Sequence, residues 1–193
     1  MWPAPYQSTV SPSEMSEYFL TSGRLGFRHW RQADEPLALA LWTDPMVTRF
    51  IATRPLAGHE ALLRLNREID TQASHGIQYW PMFLLEGDVF VGCCGLRPRE
   101  REPDVPEFGV HLRPDHWGRG LAAEGARAVF SHAFESLGCR ALFAGHNPGN
   151  DASRKLLTKL GFTHTHDEFY PPTGLMHPSY RLVQVGMGIP DVA

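Results

Sequence analysis

Glu107-Phe108-Gly109-Val110-His111-Leu112-Arg113-Pro114-Asp115-His116-Trp117-Gly118-Arg119-Gly120-Leu121-Ala122 is the stretch that decides how this chain folds. Glu107 to Leu112 is strand-like, and Gly118 and Gly120 mark a turn. Leu121, Ala122, Gly125, Ala126, Val129, Phe130, Ala133, Phe134 and Leu137 then recur at the three-and-four spacing of an amphipathic helix, which Gly138 stops. A strand therefore ends, a turn of small residues follows, and a helix opens directly from it. The unpaired amides of a first helical turn point outward and the helix dipole adds partial positive charge, so a phosphate or pyrophosphate is a natural ligand there. Gly118, Gly120 and Ala122 remove side chains that would hold a phosphate off the backbone, and Arg119 adds a mobile cation. Spacing alone leaves equally open a glycine-shaped turn that merely starts a helix.

Towards the N-terminus, Leu25 to Trp30 reads as a short strand, with the folded domain starting near Arg24. Asp34 and Glu35 before Pro36 and the run Leu37 to Trp42 are helix-start signals. Leu62, Leu65 and Ile69 predict a second helix from about Gly58 to Ser74, ended by Gly76. Tyr79 to Glu86 and Val89 to Leu96 flank the turn Gly87-Asp88, which is how an antiparallel hairpin is written; the charged, Pro-rich run Arg97 to Pro106 is a surface loop. Towards the C-terminus, Ala141 to Gly145 reads as a strand and Asn147-Pro148-Gly149-Asn150 as a turn. A helix follows from about Asp151 to Leu160, stopped by Gly161. Thr163 to Tyr170 and Ser179 to Val185 are expected strands around Pro171-Pro172-Thr173-Gly174. This order predicts one mixed α/β layer structure. Residues 1–22, rich in Pro and Ser, read as a flexible tail, and residues 23–193 as a single domain.

With 193 residues the chain is long enough for one ordinary domain and scarcely for two. The 18 Lys and Arg against 21 Asp and Glu leave a net charge of -3, whereas a general phosphate-backbone binder carries a basic face, so nucleic acid is not the expected partner. The three cysteines Cys93, Cys94 and Cys139 are no disulfide framework, and the first two, being neighbours, alternate faces if their segment is a strand. The first 23 residues carry no Lys or Arg and no long apolar run, and no stretch approaches a bilayer-spanning length. A soluble, cytoplasmic protein with no membrane partner is expected.

Three phosphate-binding readings compete for the opening stretch. A P-loop needs Gly, four residues, then Gly-Lys-Ser/Thr, and no such run occurs. Gly118-Arg119-Gly120-Leu121-Ala122-Ala123 matches the relaxed dinucleotide fingerprint. That fold wants its glycines directly after a strand and an acidic residue about 20 positions later, and here Arg113 to Trp117 intervene, so a dinucleotide-binding protein is a minor alternative. Third, Trp117-Gly118-Arg119-Gly120-Leu121-Ala122 resembles the acetyl-CoA signature of the GNAT N-acetyltransferase superfamily, with Trp117 in place of the usual Gln or Arg. Asp115 to Glu124 is similar to the subgroup that acetylates ribosomal-protein N-termini (RimJ/RimL-type), whose members often place Trp before the first Gly. Arg24 to Asp34 resembles that subgroup's opening strand and helix entry, and Asn150 to Phe162 its closing helix. The resemblance runs in matching order from about Arg24 to Arg181.

The resemblance implies a GNAT-like, mixed and mostly antiparallel sheet flanked by helices, acetyl-CoA as cosubstrate and a primary amine as acceptor, either a protein N-terminus or a small molecule. It implies that the backbone of Val110, His111 and Leu112 pairs with the pantetheine arm, and that Arg119 to Ala122, with Trp117 and Gly118 leading in, hold the pyrophosphate. Acetyl transfer to an amine needs a neutral nucleophile, a polarised carbonyl and a proton for the leaving thiolate. Glu107 is the candidate base, against the competing reading of a solvated strand residue. Ser153 is the candidate proton donor to departing CoA, because related enzymes place a Ser or Tyr on this helix and no Tyr lies between Asn150 and Gly161. Asn150 is a candidate cofactor contact, although Asn is also a favoured N-cap with Ser153 in the first helical turn. Lys155 could approach CoA phosphates; for Lys159 an ordinary helix-dipole role is favoured. Tyr79, Trp80, Trp30, Trp42 and Phe50 are weighed as acceptor-cleft residues against a core role, with Glu168 and Tyr170 weaker. His164 and His166, alternating on one strand face, lack the spacing of a known metal site, so no metal is expected. A non-catalytic acyl-CoA-binding module stays open as an alternative function, and a homodimer as an assembly.

Overall fold

The structure is a computed structural model and describes residues 18–184. Its strands are β1 (Leu20–Thr21), β2 (Leu25–Phe27), β3 (Tyr79–Leu84), β4 (Val89–Arg97), β5 (Glu107–Leu112), β6 (Ala141–Gly145), β7 (Thr163–Tyr170) and β8 (Leu175–Val183). The helices are α1 (Glu35–Trp42), α2 (Pro45–Thr48), α3 (Gly58–His75), α4 (Leu121–Ser131) and α5 (Asp151–Lys159). The strands form one sheet in the order β1-β2-β3-β4-β5-β6-β8-β7. Every neighbouring pair is antiparallel except β5 with β6. This is the mixed, mostly antiparallel sheet expected.

The sheet carries an apolar core on each face. On one, α4 sends Leu121, Ala126, Val129 and Phe130 and α5 sends Leu157 against Trp80, Met82, Cys94, Leu96 and Phe108. On the other, Ala38, Leu41 and Trp42 of α1 and Ala61 and Leu65 of α3 pack on Tyr79, Phe83, Phe90 and Cys93. The period-two alternation of a strand separates Tyr79 from Trp80 and Cys93 from Cys94. Along β5 it puts Glu107, Gly109 and His111 towards α1 and α3, and Phe108, Val110 and Leu112 towards α4. His111 accordingly meets the Tyr79 ring, whereas Phe108 meets Phe130.

Several elements differ from the expected ones for local reasons. The strand expected over Leu25 to Trp30 ends at Phe27, because Arg28 turns to pair with Asp34 and the Trp30 amide donates to the Gln78 side chain at 3.1 Å. The periodic pattern after Gly120 winds as an α-helix to Ser131 and continues as a π-turn over His132–Ser136, with Gly138 at φ +66° ending it. Strand β8 begins at Leu175, directly after the turn closed by Gly174 at φ +68°, and not at Ser179; Val185 lies outside the described residues. A bulge in β7 makes His164 face Tyr180 and His166 face Ser179 across the ladder. The two histidines therefore sit on opposite faces, against the shared face expected. Neither β1 nor α2 was anticipated. Strand β1 falls within the segment read as tail, where Leu20 pairs with Phe27; the rest of that segment, residues 1–17, lies outside the described residues.

Candidate active site

Strands β5 and β6 meet at a single register pair, Glu107 with Phe143, and part beyond it. A cleft of about 800 Å³ opens in the gap. It is lined by β5 from Glu107 to Leu112, by β6 and its exit from Phe143 to Asn147, by the α4 entry, by α5 and by Glu168 to Pro171 of the β7–β8 hairpin. The Arg113 amide donates to Val91 at 2.9 Å. By antiparallel alternation this turns the backbone polar groups of Val110 and Leu112 towards the gap, where β6 no longer pairs with them. An extended chain of amides, such as a pantetheine arm, could complete that ladder.

The α4 entry stands at the mouth of the gap. Gly118 and Gly120 have φ of +72° and +76°, a region that L side chains rarely adopt. Glu124 donates the first backbone hydrogen bond back to Gly120, so the amides of Leu121, Ala122 and Ala123 have no acceptor among the described residues. A carboxylate so close to these unpaired amides would repel an anion, but Glu124 is engaged. It accepts from the Ser22 hydroxyl and the Arg24 amide, both at 2.7 Å, and pairs with the Arg24 guanidinium. Burial alone would raise its pKa; these hydrogen bonds outweigh that and hold it below the ordinary value. Arg24 also donates to the Arg119 carbonyl at 3.1 Å, tying the turn to the β1–β2 edge. A row of unpaired amides on a turn without side-chain bulk is what a pyrophosphate requires, so these residues fit the phosphate end of CoA. Trp117 is exposed and donates its indole N–H to the Leu112 carbonyl at 2.9 Å. The Arg119 side chain lies by His116 Nδ1 at 3.2 Å and does not line the cleft.

At the closed end sits Glu107. Its carboxylate makes no hydrogen bond or ion pair among the described residues. Burial raises its pKa despite the opposing charges of Arg97, Arg99 and Arg64. Behind it lies a polar cluster built by α3 and β4. Glu68 is buried, accepts from the Tyr79 amide at 2.9 Å and pairs with Arg97, whose guanidinium lies 4.2 Å from the Tyr79 ring centroid. A Cβ on Gly109 would come within 2.3 Å of the Tyr79 ring, so this glycine makes room for the tyrosine. His111 is held neutral, its pKa pushed well down by burial and then by Arg64 and Arg97. Its Nδ1 lies 3.4 Å from the Trp42 indole nitrogen, a group that only donates, which assigns the proton to Nε2. Cys93 lies 3.7 Å from the same nitrogen, yet burial pushes its thiol up to about 12, so it is no thiolate nucleophile at neutral pH.

On α5, Asn150 is the N-cap, its side chain accepting from the Ser153 amide at 3.1 Å. The Ser153 hydroxyl has no partner among the described residues, and both residues line the cleft. Lys155 is exposed, pairs with Asp151 at 3.1 Å and is not among the lining residues, whereas Lys159 is. Tyr79, Phe50, Glu168 and Tyr170 line the cleft; Trp30, Trp42 and Trp80 are core. His164 pairs with Asp167 at 2.9 Å, and the described residues hold no cluster of three or more His, Cys, Asp or Glu suited to a metal. Sequence reading did not single out Glu68, Arg97, Arg64 or the Arg24–Glu124 pair. The first two join through a fold contact between residues 29 positions apart, and Arg24–Glu124 spans 100. No helix among the described residues is long and apolar enough to cross a membrane.

A sheet parted along one strand pair, with a helix entry of unpaired amides at its mouth and an unpaired carboxylate at its closed end, fits a group-transfer enzyme. A family model described as "Acetyltransferase (GNAT) domain" matches residues 24–163, and the chain belongs to that acetyltransferase family. The family uses acetyl-CoA and transfers the acetyl group to an amine. The chain is 28% identical over 144 residues to an uncharacterized N-acetyltransferase, p20, of Bacillus licheniformis, covering 74% of this chain and 81% of that protein. It is 32% identical over 151 residues to FsC-acetyl coenzyme A-N(2)-transacetylase of Aspergillus fumigatus, covering 72% of this chain and 63% of the fungal protein. In fold it is similar to the ribosomal L7/L12 α-N-protein acetyltransferase RimL in complex with coenzyme A. There the TM-score is 0.73 at 14% identity, covering 86% of this chain and 98% of that one.

Proposed function

We propose that this chain acetylates a primary amine by direct attack within a ternary complex of enzyme, acetyl-CoA and acceptor, and that Glu107 is the base. The observation that carries the reading is the unpaired Glu107 carboxylate at the closed end of the cleft whose mouth is the α4 entry. Acetyl-CoA supplies an activated thioester. The amides of Leu121 to Ala123 hold its pyrophosphate, with Arg119 swinging in as a counter-cation. The gap-facing groups of Val110 and Leu112 extend the sheet along its arm. Glu107 accepts a proton from the incoming ammonium, directly or through water, and returns it to solvent. The amine nitrogen bonds to the acyl carbon as the carbon–sulfur bond breaks, and the second nitrogen-bound proton ends on the thiolate by way of the Ser153 hydroxyl. Asn150 fixes that hydroxyl's helix turn. The inert Cys93 supports direct transfer over a covalent acyl-enzyme. Buried free thiols at Cys93 and Cys94 suit a reducing cytoplasm.

The test incubates the protein with acetyl-CoA and a mixture of peptides, polyamines, amino acids and aminoglycosides, and identifies acetylated products by mass spectrometry. Product with Glu107→Gln reduced about 100-fold or more in turnover, at unchanged CoA affinity by titration, is the expected result for loss of general-base catalysis. In single-turnover assays Ser153→Ala is expected to be slower than Ser153→Cys, which keeps a transferable proton. Near-wild-type chemistry in Glu107→Gln at every pH removes Glu107 from the mechanism. Tight CoA binding with no product from any amine assigns the chain to a non-catalytic acyl-CoA-binding role.

A further inference from the structure

Arg64 carries a charge that pairs with no carboxylate among the described residues. It projects from α3 into the same cleft as Glu107, with its guanidinium 5.1 Å from the Trp42 ring centroid. Its Nε is buried without a hydrogen-bond partner. Among the described residues it makes no ion pair either. The other arginines of the cleft differ: Arg97 pairs with Glu68, Arg99 pairs with Glu102 at 2.9 Å, and Arg49 is exposed above Phe50. Leaving the buried Nε of a half-buried guanidinium without a partner is costly, and folded proteins satisfy such groups unless a ligand does it for them.

The surroundings offer no hidden counterion. Glu68, one turn along α3, has one carboxylate oxygen on Arg97 and the other on the Tyr79 amide. Burial keeps the Tyr79 hydroxyl and the Cys93 thiol protonated at neutral pH, and His111 is neutral. Glu107 and, on β7, Glu168 are the other carboxylates lining the cleft, and neither is within ion-pair distance of Arg64. The cleft therefore holds an unpaired carboxylate, Glu107, and an unpaired guanidinium, Arg64, that do not meet, on the face of the sheet opposite α4.

We infer that the acceptor carries a carboxylate on the same small scaffold as its amine, the carboxylate binding Arg64 while the amine approaches Glu107. This rests on the acetyl-transfer reading above and narrows its acceptor to amino-acid-like molecules. Arg64 would repel polyamines and aminoglycosides, whose nearest groups are further cations. Arg donates two parallel N–H groups that match a carboxylate in geometry as well as charge.

The experiment measures kcat/KM for wild type, Arg64→Gln and Arg64→Lys with α-, β- and γ-amino acids and with the matching carboxamides, using CoA titration as the control for folding and donor binding. A charge-assisted hydrogen bond corresponds to about 10- to 100-fold in affinity, so the wild type should prefer at least one acid over its amide by that ratio. Arg64→Gln should bring the ratio near one through KM for the acid, and Arg64→Lys should restore part of it. Acetylation of amides and acids alike by the wild type, or an equal loss on both in Arg64→Gln, overturns the inference and leaves acetyl transfer standing. CoA binding with no product from any amine in the wider panel overturns both.

Discussion

Arg97 and Glu107 are directly opposed across the β4–β5 ladder, a position in which opposite charges ordinarily pair. Arg97 turns away to the buried Glu68, and Glu107 is left without a partner at the end of the cleft. The diversion has a functional sign. An arginine bound to Glu107 would stabilise its charged form and lower its pKa, making it a weaker base. With burial dominating, the pKa is instead raised, so activity that requires the carboxylate is lost as pH falls through a value above the ordinary range. Glu68→Gln should free Arg97 to pair with Glu107 and move the acid limb of the kcat/KM profile to lower pH, with a fall in kcat; an unmoved limb would show that Glu68 does not position Arg97. The shift also carries a stability sign. A carboxyl raised in the folded state is most stabilising in its protonated form, below its unfolded pKa, and that contribution is lost as pH rises through the folded value. Wild type should thus lose Tm relative to Glu107→Gln across that window.

Among the elements, legibility followed how local the determinants were. The β3–β4 hairpin, α4 and α5 were readable because their periodicity and their stops, Gly87-Asp88, Gly138 and Gly161, lie within the segments themselves; all four of these residues adopt positive φ. Helix α2 is four residues long and too short to show a period, although Asp44 caps it through the Met46 amide at 2.7 Å and Pro45 opens it. Arg64 and Glu68 were not legible, for a different reason. Spaced four apart on a helix they look like a solvated ion pair, and only the fold brings Arg97 to Glu68 and leaves Arg64 alone. The α4 entry was legible as a turn, but the Arg24 and Ser22 contacts that neutralise Glu124 were not, since they cross from the opposite end of the chain. At this scale Gly120→Ala separates the turn's two duties. A Cβ there has only Arg24 Nη2 at 3.7 Å, so the fold has room, and the cost is about 1–2 kcal/mol of left-handed backbone. On the proposed phosphate site, the methyl would also add bulk beside the unpaired amides of Leu121 to Ala123. An approximately tenfold rise in KM for acetyl-CoA with a small fall in Tm is expected; unchanged KM would place the pyrophosphate elsewhere.

Taken as a whole, the sheet is two pieces joined at a seam. From β1 to β5 the ladders are continuous and both faces are packed, whereas β6, β8 and β7 meet that half through the single pair Glu107–Phe143. Contacts beside the seam supply much of the rest. Phe108 and Phe162 both meet Phe130 edge to face, at 4.8 and 5.7 Å between ring centroids, and Arg181 pairs with Glu102 at 3.0 Å. A seam with few backbone bonds is where local opening costs least. A donor lying along it would bond the Val110 groups and the Leu112 amide of β5, touch the β6 exit and rest on α4, so it would act as the missing stretch of ladder. Hydrogen exchange should therefore show Val110, Leu112 and Leu121 to Ala123 gaining protection on addition of CoA, with β6 and β8 slowed as well and β3 and β4, already paired on both sides, nearly unchanged. At a CoA concentration of about 100 times its Kd the global gain should approach 2.7 kcal/mol. Protection at the α4 entry without any change in β6 and β8 would mean that the phosphates bind while the arm lies outside the gap, and the route to Glu107 would have to be redrawn.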